Sequence, residues 1–453
     1  MCCGLRKFLQ YIRKLQELKC VSKYVIDFKL PRRLGLSACL VFLITWFNHD
    51  ALPAIHSILG TGMPVLVFLI TLSIFFICLL SGRCVINKTL LIGAATMVTL
   101  LLVTIALNQD FRGAYLALLL SWGTAFALVH IVPFKSFVEH YTSIIYFVAI
   151  SSLIAQYVLF PVVDVLPGFL FSRFINLAGV PFINMRIAYL IDFPHFLRNL
   201  GIFREPGVYQ IFLNFALMLE LYFNSTVRIN FRRVLVFMIT IFSTFSIPGY
   251  IAALLLIMGY LFSGRLNYSM QGRKLLALLM LISVAGLVLY LVAPAFRTEV
   301  VSALDKLLTR GVTFQGRMTS ITATLQAWQL RPIFGSGISS GLLTETYDRI
   351  ARDVIGPVSI TTTHGAYLAA FGLLFVLLNL FMIYRLACKL SSMRLIRGLL
   401  FATIVLLLNT QFMIYNEIVY SLVFYGIKGG GTVIAVNKDR KDRSALNEDT
   451  LVR

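Results

Sequence analysis

Long apolar stretches alternate with short polar links along nearly the whole chain. They fall at roughly 34–50, 58–80, 89–107, 113–132, 142–160, 207–223, 233–247, 249–262, 275–293, 365–384, 397–414 and 417–434. At 1.5 Å per helical residue, most are long enough to cross a hydrocarbon layer of about 30 Å. The pattern predicts about 12 transmembrane helices. The first, seventh and last stretches are short or interrupted, which tilt or local thinning of a bilayer accommodates. A chain in lipid has to close its backbone hydrogen bonds inside each segment. The expected fold is therefore an all-α, polytopic helix bundle.

The polar links orient that bundle. Arg83, Lys88, Lys135, Arg228, Arg232, Arg233, Arg265, Arg273, Lys274, Arg385, Lys389, Arg394 and Arg397 recur in every second link. Positive links face the cytoplasm, so both termini are expected inside the cell membrane. Residues 1–33 form a basic cytoplasmic arm, 34–434 the membrane domain, and 435–453 a cytoplasmic tail. The arm is too basic and too polar for a cleaved signal. Two long links, about 161–206 and 294–364, fall outside. In the larger one, Met318, Ile321, Leu325 and Trp328 recur at helical spacing, and so do Val300, Leu304, Leu307 and Leu308. These segments read as amphipathic helices at the outer interface, roofing a cavity.

Composition changes the picture little: 59% of residues are apolar and 13% charged, as lipid burial requires. No Cys-x-x-Cys occurs among the seven cysteines, and none of them lies in an outward segment, so neither structural disulfides nor a thiolate zinc site is expected. The outward carboxylates lie apart in sequence and include no Asp-x-Asp pair. A metal centre is not expected, nor a nucleotide cofactor, since no Walker or dinucleotide fingerprint is present. Nothing suggests nucleic acid as a partner.

Charge type is more telling. The outward segments carry Arg112, Arg173, Arg186, Arg198, Arg204, Arg297, Arg310, Arg317, Arg331, Arg349 and Arg352, against the single lysine Lys306. Arginine in preference to lysine suits planar, two-pronged recognition of phosphate or carboxylate. Two of these arginines belong to Arg198-Asn-Leu-Gly-Ile-Phe-Arg204-Glu205-Pro206-Gly207-Val-Tyr209-Gln210, where a loop becomes a helix. Pro206 suits the first helical position, and Glu205 before it complements the positive helix end. Arg331-Pro332-Ile-Phe-Gly335-Ser-Gly337 is a turn whose glycines permit close backbone approach. His364 opens another span behind three threonines and is placed to accept a proton or to bond a sugar or phosphate.

Three motifs in this order resemble the bacterial O-antigen polymerase (Wzy-type) and O-antigen ligase superfamily over roughly residues 195–385. They are Arg198-x2-Gly-Ile-Phe-x-Glu205-Pro-Gly-x-Tyr209-Gln210-x3-Asn214, then Arg317 ahead of Trp328 and Pro-x-x-Gly-x-Gly, then His364. The resemblance implies a fold like the membrane-embedded type C glycosyltransferases and a metal-independent, inverting transfer. The donor would be an undecaprenyl-diphosphate-linked oligosaccharide and the acceptor a second lipid-linked repeat unit, with the active site on the periplasmic side of the inner membrane. Arg198, Arg204, Arg317 and Arg331 would neutralise the leaving diphosphate, and Glu205 or His364 would take the acceptor proton. Trp328, Tyr209 and Gln210 would contact sugar, beside the Gly335 and Gly337 turn. By analogy, a polysaccharide chain-length regulator is an expected partner. The alternatives are an O-antigen ligase with a lipid A-core acceptor and a lipid-linked oligosaccharide flippase.

Overall fold

The computed structural model describes residues 33–52, 62–165, 167–168, 171–175, 180–191, 198–223, 230–263, 288, 290–294, 297–298, 301, 312–338 and 362–428. Outside this set lie the arm up to residue 32, most of the stretch at 275–293, the helix expected around Leu304–Leu308, and the tail at 435–453. Twelve α-helices are described: α1 Arg33–Trp46, α2 Gly62–Leu80, α3 Lys88–Asn108, α4 Gly113–Ile131, α5 Phe134–Ile154, α6 Pro206–Tyr222, α7 Phe231–Ser243, α8 Ile247–Phe262, α9 Val312–Leu330, α10 Thr363–Leu390, α11 Arg394–Leu408 and α12 Glu417–Ile427. Gly62–Leu80, Lys88–Asn108, Gly113–Ile131, Phe134–Val163 and Thr363–Leu390 are long and apolar enough to cross a membrane.

Two kinds of helix can be told apart by burial. Along α6 every residue but Gly207 is buried, and α12 is buried throughout, so both are apolar on all sides and form the core. Around α6 pack α5, α7 and α8, while α12 sits against α4 and α10. By contrast α2 and α3 bury one narrow stripe each, and Phe76, Ile77, Leu80, Ile92 and Leu102 point outward. Outward apolar surface on this scale has no place in water and fits a lipid surround. The protein is a helical membrane protein.

Three features go beyond the sequence expectation. First, the fold is not all-α: Ser172–Ile175, Pro181–Asn184 and Tyr189–Ile191 form an antiparallel sheet, β1 to β3 in sequence order. These strands are too short to leave a clear period-two signal. Second, the apolar face of α9 is turned away from the bundle. Met318, Ile321 and Leu325 are exposed, whereas Thr319, Ser320, Ala323, Thr324 and Ala327 are buried, in a helix that packs on α10. Small side chains let helices approach closely in lipid, and the bulky apolar ones are free to face the tails. Third, α10 is broken. Gly372 has φ +77° and ψ −175°, and the two halves fold back until the rings of Tyr367 and Phe375 lie 5.1 Å apart. On a straight helix these residues would be about 12 Å apart along the axis.

The break is sealed by the turn after α9. Leu373 N–H donates to Pro332 O, while Ser336 N–H and Gly337 N–H donate to Ala369 O and Ala370 O, at 2.8–2.9 Å. Irregular backbone at membrane depth is tolerated when another segment satisfies it in this way.

Candidate functional site

The N-terminus of α6 is built as its sequence suggests. Glu205 is the extended N-cap, Pro206 opens the helix, and the N–H groups of Val208 and Tyr209 bond to Glu205 O at 3.1 Å. The Glu205 carboxylate makes no capping bond and is half-buried. Just before it, Gly201 adopts φ +59°, and a Cβ there would lie 2.8 Å from the Tyr209 ring. Only glycine serves at that turn.

Arg204 meets residues that are far away in sequence. Its Nε is 3.0 Å from Asp50 Oδ1, its backbone N–H donates to Asp50 O at 3.1 Å, and its Nη2 donates to Phe412 O at 3.0 Å. A bridge between Ala51 and Phe203, with Leu52 N–H on Ile202 O at 2.8 Å, clips the 48–52 segment alongside. Asn416 Nδ2 donates to Asp50 Oδ2 at 2.8 Å and to Asn48 Oδ1 at 3.2 Å. Glu417, fully buried, accepts from His49 N–H at 3.3 Å. Asp50 and Glu417, far apart in the chain, therefore share one cluster with a single arginine.

The link between α11 and α12 joins this cluster to His364 through three successive residues. Asn409 Oδ1 accepts from His364 N–H at 3.2 Å, and Thr410 Oγ1 accepts from Gln210 Nε2 at 3.3 Å. Gln411 O accepts from Thr363 Oγ1 at 2.6 Å, while the Gln411 side chain fills the space where a Cβ on Gly207 would stand. The starts of α6 and α10 thus converge, and helix starts carry positive charge. The His364 ring is 8% exposed, and neither ring nitrogen has a hydrogen bond among the described residues. The side chains of Asn409 and Asn379 flank it. Asn379 is brought there by the break at Gly372, because a straight helix would put it about 22 Å along the axis.

Other sequence candidates lie elsewhere. Tyr209 and Gln210 are wholly buried: the Tyr209 hydroxyl lies 3.1 Å from Ser152 Oγ, and Gln210 Nε2 also bonds to Gly207 O at 3.0 Å. They form the inner wall behind the α6 start. Arg198 Nε donates to Thr244 O at 3.4 Å. Trp328 Nε1 donates to Pro332 O at 2.9 Å, inside its own turn. Arg331 is exposed, and its Nη1 reaches Asn108 Oδ1 and Leu107 O at the C-terminal end of α3. Cations suit that pole. A Cβ on Gly335 would strike the Ala370 carbonyl at 2.4 Å, and one on Gly337 would meet Asp110 and Tyr115 at 2.8 Å. The close approach those glycines permit is to the protein's own backbone and side chains. Arg317 lies on α9, with its side chain outside the described residues.

Sequence reasoning passed over Asp50, Asn409–Gln411, Asn416 and Glu417 as site components. The signal was present as two polar interruptions, Asn48-His49-Asp50 and Asn409-Thr410-Gln411, at the ends of apolar runs. No family model matches the chain, and no curated protein matches it in sequence.

Proposed function

We propose that this membrane protein is a polymerase of surface polysaccharide repeat units. It transfers a glycan from an undecaprenyl-diphosphate donor to a lipid-linked acceptor at the external face of the bacterial inner membrane, with both termini cytoplasmic. The observation that carries the reading is the convergence on Asn409–Gln411. There an arginine and a half-buried carboxylate at one helix start come together, through this link, with a buried histidine flanked by Asn409 and Asn379 at another. Arg204, with Arg198 on the same loop, supplies charge for the departing diphosphate. Glu205 or His364 takes the proton from the attacking hydroxyl, so the new glycosidic C–O bond forms as the bond to the diphosphate oxygen breaks.

A flippase is the second reading, and the break in α10 favours it, since discontinuous helices line the substrate paths of many transporters. One experiment separates the two. Protein in lipid nanodiscs is given the host's lipid-diphosphate repeat unit with EDTA and no nucleotide, and the products are resolved by size. A ladder at whole multiples of the repeat is expected, lost in Arg198→Ala and in Arg317→Ala. Transfer only on adding lipid A-core points to a ligase, and no transfer with movement of the lipid between leaflets points to a flippase.

A further inference from the structure

We infer that Asp50 is a built-in counter-ion of Arg204, one that holds the guanidinium in place while competing with an anionic ligand for it. The inference rests on the reading of Arg204 as a diphosphate-binding group. Arginine–carboxylate pairs are frequently two-pronged, with parallel N–H···O bonds. This pair is not. Nε lies 3.0 Å from Asp50 Oδ1 yet makes no directed hydrogen bond, so the contact is one of charge. The second Asp50 oxygen is held by Asn416, and Asp50 N–H is held by Asn48 Oδ1 at 2.9 Å. The carboxylate is thereby fixed from behind and prevented from gripping the guanidinium with both oxygens.

On the arginine side, Nη2 is tied to Phe412 O and the backbone to Asp50 O. Nη1 has no partner among the described residues, and the side chain is 34% exposed against 4% for Asp50. The guanidinium is held along one edge by Phe412 O and Asp50, and it is partly open to a further ligand. A buried carboxylate at this distance lowers the attraction of Arg204 for any further anion. That arrangement suits a site that must release a diphosphate after each transfer, because a bare arginine would hold the product.

The test is binding of inorganic pyrophosphate to the full chain in nanodiscs with EDTA, followed by calorimetry. Asp50→Asn keeps the shape and the Asn416 contact but removes the charge. It is expected to bind pyrophosphate roughly tenfold more tightly, a change of about 1.4 kcal/mol. The gain should vanish in the Asp50→Asn/Arg204→Ala double variant. Damage to the fold would weaken binding, so the sign separates the two explanations. Asn416→Ser retains a capping oxygen for α12 but is too short to reach Asp50, which frees that carboxylate to grip Arg204. It is expected to weaken binding, and it provides an independent reading if Asp50→Asn does not fold. Equal or weaker binding by folded Asp50→Asn, or unchanged binding by Asn416→Ser, overturns the counter-ion role alone. No pyrophosphate binding by the wild-type chain overturns the anion role of Arg204, and this inference with it.

Discussion

At the end of the bundle where Lys389, Arg397 and Lys428 lie, these three cations are answered by backbone, while Arg233 pairs with the buried Glu220. Lys389 Nζ bonds to Tyr425 O and Lys428 O, Lys428 Nζ to Val129 O, and Arg397 Nε to Ser391 O. These carbonyls belong mostly to helix ends, the negative poles. At the opposite end, Arg204 and Arg112 meet the carboxylates of Asp50 and Asp110. Every described lysine (Lys88, Lys135, Lys389 and Lys428) belongs to the first end. Cations held by carbonyls serve orientation and packing, and either basic residue would do. Arg204, held by a fixed carboxylate at a helix start, has the planar fork that the proposed exchange of one anion for another requires.

The comparison can be broken at several points. The largest effect is expected from Arg204→Ala, which should cut polymer formation about 10²–10³-fold, as loss of a charge-stabilising donor does. Arg397→Ala, at the other end, should leave turnover within about twofold. Both are checked by the nanodisc assay against a thermal melt showing folded protein. Next comes Glu220→Gln. Glu220 is buried and pairs with Arg233 at 3.5 Å at the basic end. Its loss should cost about 2–3 kcal/mol of stability, the low side for a buried pair because Arg233 is a quarter exposed. Activity per folded molecule should stay unchanged, read by melting alongside turnover.

A similar or smaller cost is expected for Gly372→Ala. The added Cβ would stand 2.2 Å from Ile333 O at a positive φ, worth about 1–3 kcal/mol. Melting temperature reads it, and an unchanged melt would deny the sealed break in α10. The mildest effect concerns Cys84 at the basic end. Burial, and then the neighbouring Cys78, push its thiol above the ordinary range. Fewer thiolates form at neutral pH, so alkylation should be slower than for a free thiol and should speed up as pH rises. Mass spectrometry of the labelled chain measures this.

Much of this arrangement could be read from sequence, and the failures have physical causes. Apolar length gave the helices, and Glu205-Pro206 marked the start of α6, because both signals are local. Met318, Ile321 and Leu325 on α9 announce a surface that avoids water without saying whether lipid or protein covers it. Asp50, Asn416 and Glu417 were passed over because single polar residues hardly alter a long apolar window. Their partners also lie more than 150 residues away in the chain. The glycines of 335–337 looked like a ligand cradle because the sequence shows backbone freedom but not what fills it.

The most direct measurement is an experimental structure of the chain in nanodiscs with undecaprenyl diphosphate, the leaving group itself, bound. The account predicts its phosphates against Arg204, beside Asn409–Gln411 and the start of α6. Phosphates among Lys389, Arg397 and Lys428, or midway along the bundle away from both helix starts, would contradict it.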